Sequence, residues 1–165
     1  MPTVAVYAGS FDPITLGHVD IVRRGATLFD EVIVAVGQNP AKRYTFDLAE
    51  RIRIIEDALS DVANVRVDSF DGLLVDYCRK VDARVILRGL RAVTDFEFEF
   101  KIGLANMDMA PKIQTVFLLT EPRMLFVSSS LVREIASHGG DIRRYVPVAA
   151  AEALERKYGN TPATE

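Results

Sequence analysis

Five short apolar, β-branched runs separated by helical patterns constrain this chain more than any other feature. They are TVAVYAG (3–9), EVIVAVG (31–37), NVRVDSF (64–70), ARVILRG (83–89) and IQTVFLLT (113–120). Most lack the strict polar–apolar alternation of a half-solvated strand, so both faces of their sheet should be covered. Helical patterns fall at 17–29, 47–61, 72–82, 95–109, 129–138 and 148–158. Such alternation predicts an α/β fold: a doubly wound, five-stranded parallel sheet with right-handed crossovers, helices on both faces and extra C-terminal helices.

That is the Rossmann-like class, and 165 residues suit one such domain with a single sizeable core. Several helix ends are marked. Asp47 with Glu50 makes a capping-box pattern, and so does Thr94 with Glu97. Gly139-Gly140 stops one helix, while Pro147 opens and Gly159 closes the last. The domain is therefore 1–159, followed by a polar tail, 160–165, expected to be disordered. FEFEF (96–100) alternates with period two, as a strand would. The Thr94 cap and the unbroken continuation KIGLANMDMA make it a helix, with Phe96, Phe100, Leu104 and Met107 on one face and Glu99 pointing away.

The net charge of −3 does not favour non-specific binding to nucleic acid or to an anionic membrane, so any basic site is a local cluster. No segment has the roughly eighteen apolar residues of a membrane-spanning helix, and MPTVAV lacks signal-peptide character. A single cysteine, Cys78, excludes an internal disulfide; its apolar neighbours make it an inert packed thiol. A cytoplasmic protein is expected.

In an open parallel sheet, ligands bind beyond the carboxyl ends of the strands, where the strand order reverses. The unusual polar residues of this chain follow strand ends: GSF, QNPAK, DGLL, RGLR and RMLFVSSS. They would bring Ser10, His18, Lys42, Arg88, Arg91 and Ser128–Ser130 to one edge. Arginine forks, a lysine and free helix-start N–H groups are phosphate ligands. Each has an ordinary reading alone, as a solvated charge or a helix cap; their convergence is what points to polyphosphate. His138, at a helix end without such company, needs only its favourable dipole interaction. No activated nucleophile, no P-loop and no G-x-G-x-x-G is present.

Three stretches carry a family resemblance. GSFDPITLGH resembles the first motif of the nucleotidyltransferase superfamily, ending in a (H/T)-x-G-H box, here Thr15-Leu16-Gly17-His18. VSSSLVRE resembles its second motif, and ILRGLRAVTDFEFE is similar to the bacterial phosphopantetheine adenylyltransferases. The resemblance runs from about residue 4 to 158 and implies adenylyl transfer from ATP to 4′-phosphopantetheine, giving dephospho-coenzyme A and pyrophosphate. It implies direct in-line attack, Mg²⁺ carried with ATP, a homohexamer and coenzyme A as a feedback ligand. Neighbouring readings are nicotinic acid mononucleotide adenylyltransferase, a glycerol- or choline-phosphate cytidylyltransferase, and a non-catalytic nucleotide- or coenzyme A-sensing domain.

By the same resemblance, His18 contacts the α-phosphate and is the catalytic residue. Ser10, Lys42, Leu73, Leu74, Arg88 and Asn106 match positions that bind phosphopantetheine. Gly9, Ser10, Phe11, Gly17, Gly89, Arg91 and Glu99 match ATP-site positions, as do Met124 and Val127, Ser128, Ser129 and Ser130 in the closing loop; no protein ligand for a metal is implied. Ser10 replaces a frequent threonine, Met124 a frequent aromatic residue, and Phe98 a frequent tyrosine.

Overall fold

A computed structural model describes residues 1–159; the tail 160–165 and the Thr94 side chain lie outside the described residues. One sheet contains β1 (Val4–Gly9), β2 (Glu31–Gly37), β3 (Val65–Phe70), β4 (Val85–Leu90) and β5 (Gln114–Leu119). Every neighbouring pair is parallel, in the order β3-β2-β1-β4-β5. The chain starts in the middle, builds outward through β2 and β3, then returns to the other side of β1. The strand order thus reverses between β1 and β4, as a doubly wound sheet requires.

The helices are α1 (Leu16–Leu28), α2 (Leu48–Ala58), α3 (Leu74–Lys80), α4 (Val93–Met109), α5 (Ser129–Ser137) and α6 (Val148–Tyr158), with a 3₁₀ turn at Pro122–Met124. Strand side chains alternate between two apolar layers. Ala5, Tyr7, Val34 and Leu87 pack with Val22 of α1, Ile55 of α2, Val132 of α5 and Leu154 of α6. Val6, Ala8, Ile33 and Ile86 pack with Val75, Tyr77 and Cys78 of α3 on the opposite face. Burial pushes the Cys78 thiol up to about 11, in keeping with an inert role.

The Asp47–Glu50 capping box forms as expected, with reciprocal hydrogen bonds of 2.8 and 2.9 Å. Pro147 is the N-cap of α6, and Gly159 ends it in the left-handed conformation. FEFEF is helical, but its start differs from expectation: Ala92, not Thr94, is the N-cap, and it has no side-chain capping bond. The Phe96 N–H bonds the Ala92 carbonyl at 3.2 Å, so helical bonding begins directly after β4 and draws Thr94 into the first turn. Phe96, Phe100, Leu104 and Met107 all remain exposed, while Glu99 turns inward toward the sheet edge.

Leu154→Ala removes a fully buried side chain shared by the sheet and the C-terminal helices. It should cost about 3 kcal/mol in urea denaturation, whereas Leu28→Ala, at a 60% exposed site, should stay within about 0.5 kcal/mol. Equal losses would mean that α6 is not part of the core.

Candidate active site

A cleft of about 540 Å³ opens where the strand order reverses. The end of β1 contributes Gly9, Ser10 and Phe11, and the first turn of α1 contributes Gly17 and His18. Lys42 comes from the loop after β2, Arg88, Gly89 and Arg91 from the end of β4 and its loop, and Glu99 from α4. Met124 belongs to the 3₁₀ turn, while Val127, Ser128, Ser129 and Ser130 form the entry to α5. Four of the five strand-end segments therefore meet in this one space. The segment after β3 feeds an adjoining cavity of about 250 Å³, where Leu74, Phe70, Ile102 and Asn106 join Ser10, Arg88 and Glu99. Leu73 does not follow them: as the N-cap of α3 it is 54% exposed and lines neither cavity.

The geometry of His18 is set by the helix it begins. Thr15 is the N-cap of α1, and His18 occupies the third helical position, where a capping box ordinarily has glutamate. The Thr15 N–H donates to His18 Nδ1 at 3.0 Å, and the His18 N–H donates back to Thr15 Oγ1 at 3.3 Å. A main-chain N–H can only donate, so Nδ1 is the acceptor and the neutral ring carries its proton on Nε2. Phe11 meets the imidazole edge-on, with ring centroids 5.2 Å apart. Burial, then the charges of Arg91 and Arg88, lowers the His18 pKa to about 4.

The loop from Ser10 to Pro13 is fastened from several sides. Phe11 is buried with φ of 46°, a sparsely populated conformation that needs support from its surroundings. A Cβ at Gly9 would lie 3.1 Å from the Phe11 ring, so glycine permits that close approach. The buried Asp12 carboxylate accepts the N–H groups of Thr45 and Phe46 at 2.8 and 3.0 Å. Arg133 donates to the Asp12 carbonyl at 2.6 Å, Ser129 Oγ to the Pro13 carbonyl at 2.7 Å, and Arg51 to the Ser10 carbonyl at 2.8 Å. At Gly17 a Cβ would make only ordinary contacts, at 3.5 Å or more, so the fold itself does not require glycine there.

Arg88 is gripped rather than free. Its Nε and Nη2 donate to both oxygens of Glu99, at 2.7 and 2.5 Å, and Nη1 donates to the Ala8 carbonyl at 2.9 Å. A guanidinium has five N–H groups, so two remain. Arg91 joins Asp95 and donates to the Val127 carbonyl at 2.8 Å, tying the loop after β4 to the entry of α5. Ser128 caps α5 at the Leu131 N–H. Among the described residues, the N–H groups of Phe11, Gly17, Ser129 and Ser130 have no protein acceptor. Such donors at two helix starts, beside Lys42 and the remaining N–H groups of Arg88, form an anion-binding rim.

Tyr7 and Arg51 escaped the sequence reading, and Thr15 entered it only as the first residue of the box, without its role as the N-cap. The spacing of Thr15 and His18, that of an N-cap and its third helical residue, was the available signal for that role. Tyr7 lines the cleft but sits in an unbroken apolar strand, and Arg51 sits in a helical pattern that reads as solvated. Among the described residues, no group of three or more His, Cys, Asp or Glu side chains gathers as a metal site.

The depressed pKa of His18 has a direct readout. In ¹⁵N spectra of the ligand-free protein, the imidazole should stay neutral, protonated at Nε2, from pH 8 to about 5, with a midpoint near 4. The unfolded chain binds this proton more readily, so His18 removes stability as the pH falls from 6.5 toward 4. A midpoint at 6.5 would mean that neither burial nor the arginines act on the ring.

The cytidylyltransferase-like family pattern matches residues 6–135. A phosphopantetheine adenylyltransferase of Heliobacterium modesticaldum is 55% identical over 96% of this chain and 95% of its own length. That of Caldanaerobacter subterraneus subsp. tengcongensis is 52% identical over 94% and 97%. A crystal structure from Vibrio parahaemolyticus, described as a nicotinate-nucleotide adenylyltransferase, superposes with a TM-score of 0.71 over 93% of this chain and 99% of that one; at 17% identity it shares the fold. With half its residues matched over nearly its whole length, the chain belongs to the phosphopantetheine adenylyltransferase family, within the cytidylyltransferase-like nucleotidyltransferases.

Proposed function

We propose that this protein transfers the adenylyl group of ATP to the phosphate of 4′-phosphopantetheine. A phosphate oxygen of the acceptor forms a bond to the α-phosphorus as the α–β bridging bond breaks, releasing pyrophosphate and dephospho-coenzyme A. The supporting observation is the joining of two spaces at Ser10, Arg88 and Glu99: a cleft rimmed with anion donors and a cavity with apolar walls. One suits the triphosphate and the other the pantetheine arm. Likeness to the nicotinate-nucleotide enzyme reaches only the fold, whereas relatives at half identity carry the phosphopantetheine name.

An ionised phosphate needs no general base, so catalysis rests on alignment and on charge stabilisation. His18 Nε2–H donates to an α-phosphate oxygen, with the Gly17 N–H beside it. Ser129, Ser130 and Arg91 receive the β- and γ-phosphates, and Glu99 lies toward the ribose side. Met124 and Val127 border the adenine. Lys42, Ser10 and the two remaining Arg88 N–H groups take the acceptor's phosphate, while Leu74 and Asn106 line its arm. Mg²⁺ enters as part of the substrate, on the nucleotide's phosphates. The cleft's carboxylates fit that reading, because Asp95 and Glu99 are each already held by an arginine. Coenzyme A, which contains the pantetheine arm, fits as a feedback ligand of the same cavity. The exposed apolar face of α4 supports a homo-oligomer, a hexamer by family resemblance. No helix among the described residues is long and apolar enough to cross a membrane, in keeping with a cytoplasmic enzyme.

Pyrophosphate release from Mg-ATP should require phosphopantetheine; release with nicotinic acid mononucleotide in its place would overturn the acceptor assignment. His18→Ala should lower kcat by about 10²–10³-fold, the scale of one lost transition-state donor, and hardly change ATP affinity. Arg88→Ala should raise the KM for phosphopantetheine by at least about tenfold, and an unchanged KM would exclude Arg88 from the acceptor site.

A further inference from the structure

Arg51 is a cation without a counter-ion. It lies on α2 with 2% of its surface exposed, and among the described residues no carboxylate comes within ion-pairing distance. Its Nη1 donates to the Ser10 carbonyl at 2.8 Å and to the Gly37 carbonyl at 3.3 Å. The guanidinium carbon stands 4.0 Å over the ring of Tyr44, and Nε is buried without a partner. A buried charge held by two carbonyls and one aromatic face is costly, and an apolar residue would fill this position with less penalty. An arginine here calls for a role beyond packing.

The contact with Ser10 supplies one. The Ser10 carbonyl and the Phe11 N–H belong to one peptide unit, and that unit is trans. In a trans peptide the two groups point in opposite directions. Arg51 lies outside the lining of the cleft, in the wall of a neighbouring cavity of about 630 Å³ built from the loop after β2 and the start of α2, which meets the cleft at Lys42. Holding the carbonyl toward Arg51 therefore turns the Phe11 N–H away from Arg51, and that N–H, on a residue that lines the cleft, has no protein acceptor among the described residues. The positive φ of Phe11 means that the turn needs such an anchor to persist.

We propose that Arg51 is a positioning residue: by fixing the Ser10 carbonyl from outside the cleft, it aims the Phe11 N–H at the phosphates bound in the cleft. One terminal nitrogen, Nη1, reaches the carbonyls of β1's exit and β2's end at once, while the flat guanidinium lies over the Tyr44 ring. Carbonyl acceptors leave no anion near the phosphates. The assignment rests on the proposed adenylyl transfer and deepens it.

The test uses the full chain labelled with ¹⁵N at phenylalanine and serine and titrated with Mg-ATP. In the wild type, the amides of Phe11, Ser129 and Ser130 should all shift. In Arg51→Met, the serine amides should still shift while Phe11 does not, with kcat at least about tenfold lower and the KM for phosphopantetheine little changed. Arg51→Lys, which keeps one donor for the carbonyl, should recover part of both the shift and the rate. Three results would overturn the assignment: a wild-type Phe11 amide indifferent to ATP, a Phe11 shift that survives in Arg51→Met, or loss of all three shifts together. Failure of both variants to fold would also overturn it, making Arg51 a structural strut. Wild-type turnover, measured alongside, separates failure of this assignment from failure of the reaction itself.

Discussion

The hydrogen bond from the Thr15 N–H to His18 Nδ1 is where fold and chemistry become one constraint. It satisfies a main-chain donor that the start of α1 would otherwise leave unpaired, and it fixes which imidazole nitrogen carries the proton. A glutamate in the same position would close the helix equally well. It would also place an anion where the proposed mechanism brings the phosphates. Histidine completes the cap as a neutral group and keeps a donor for the cleft, and burial, with the nearby arginines, holds it neutral.

Around that bond, the loops are held by arginines that donate to main-chain carbonyls. Arg51 takes Ser10, Arg88 takes Ala8, Arg91 takes Val127 and Arg133 takes Asp12. Side chains from α2, β4, the loop after β4 and α5 thus fasten the turns that line the cleft. A carbonyl secures a guanidinium without cancelling its charge, so the same groups that stiffen the loops keep their field. The exceptions are informative. Arg88, Arg91 and Arg133 also pair with carboxylates, Glu99, Asp95 and Asp12, which moderate the positive charge and leave Arg51 as the one of the four that, among the described residues, is held by carbonyls without an ion pair.

Much of this was legible in the sequence because it depends on local pattern. The strands of a buried parallel sheet are uninterrupted apolar runs, and glycine, serine and arginine after strand ends mark the ligand edge. What escaped depends on distance. Arg51 follows a capping box in an amphipathic helix and reads as solvent-facing, yet its partner Ser10 lies 41 positions away. Glu99 pairs with Arg88 across a turn of chain that no periodicity reports. Thr94 misled because its capping pattern is real in composition, but helical bonding begins at Ala92, straight out of β4, and overrides it. The exposed face of α4 was legible as a shared apolar stripe, but not as a surface left open by this chain's own fold.

Direction of donors, rather than quantity of charge, sets what the cleft can accelerate. Its lining has three cationic side chains, Lys42, Arg88 and Arg91, against the carboxylates of Asp95 and Glu99. The total charge of two phosphate reactants does not change as one attacks the other; it shifts between oxygens. A strongly positive surface would bind reactants and transition state alike and gain little in rate. Fixed donors aimed at particular oxygens discriminate between the two. A neutral imidazole, free amides at two helix starts and arginines held at known angles form such a set. In the proposed mechanism the anchored scaffold is therefore part of the catalytic apparatus, and a chain with an overall charge of −3 can run a reaction between two polyanions.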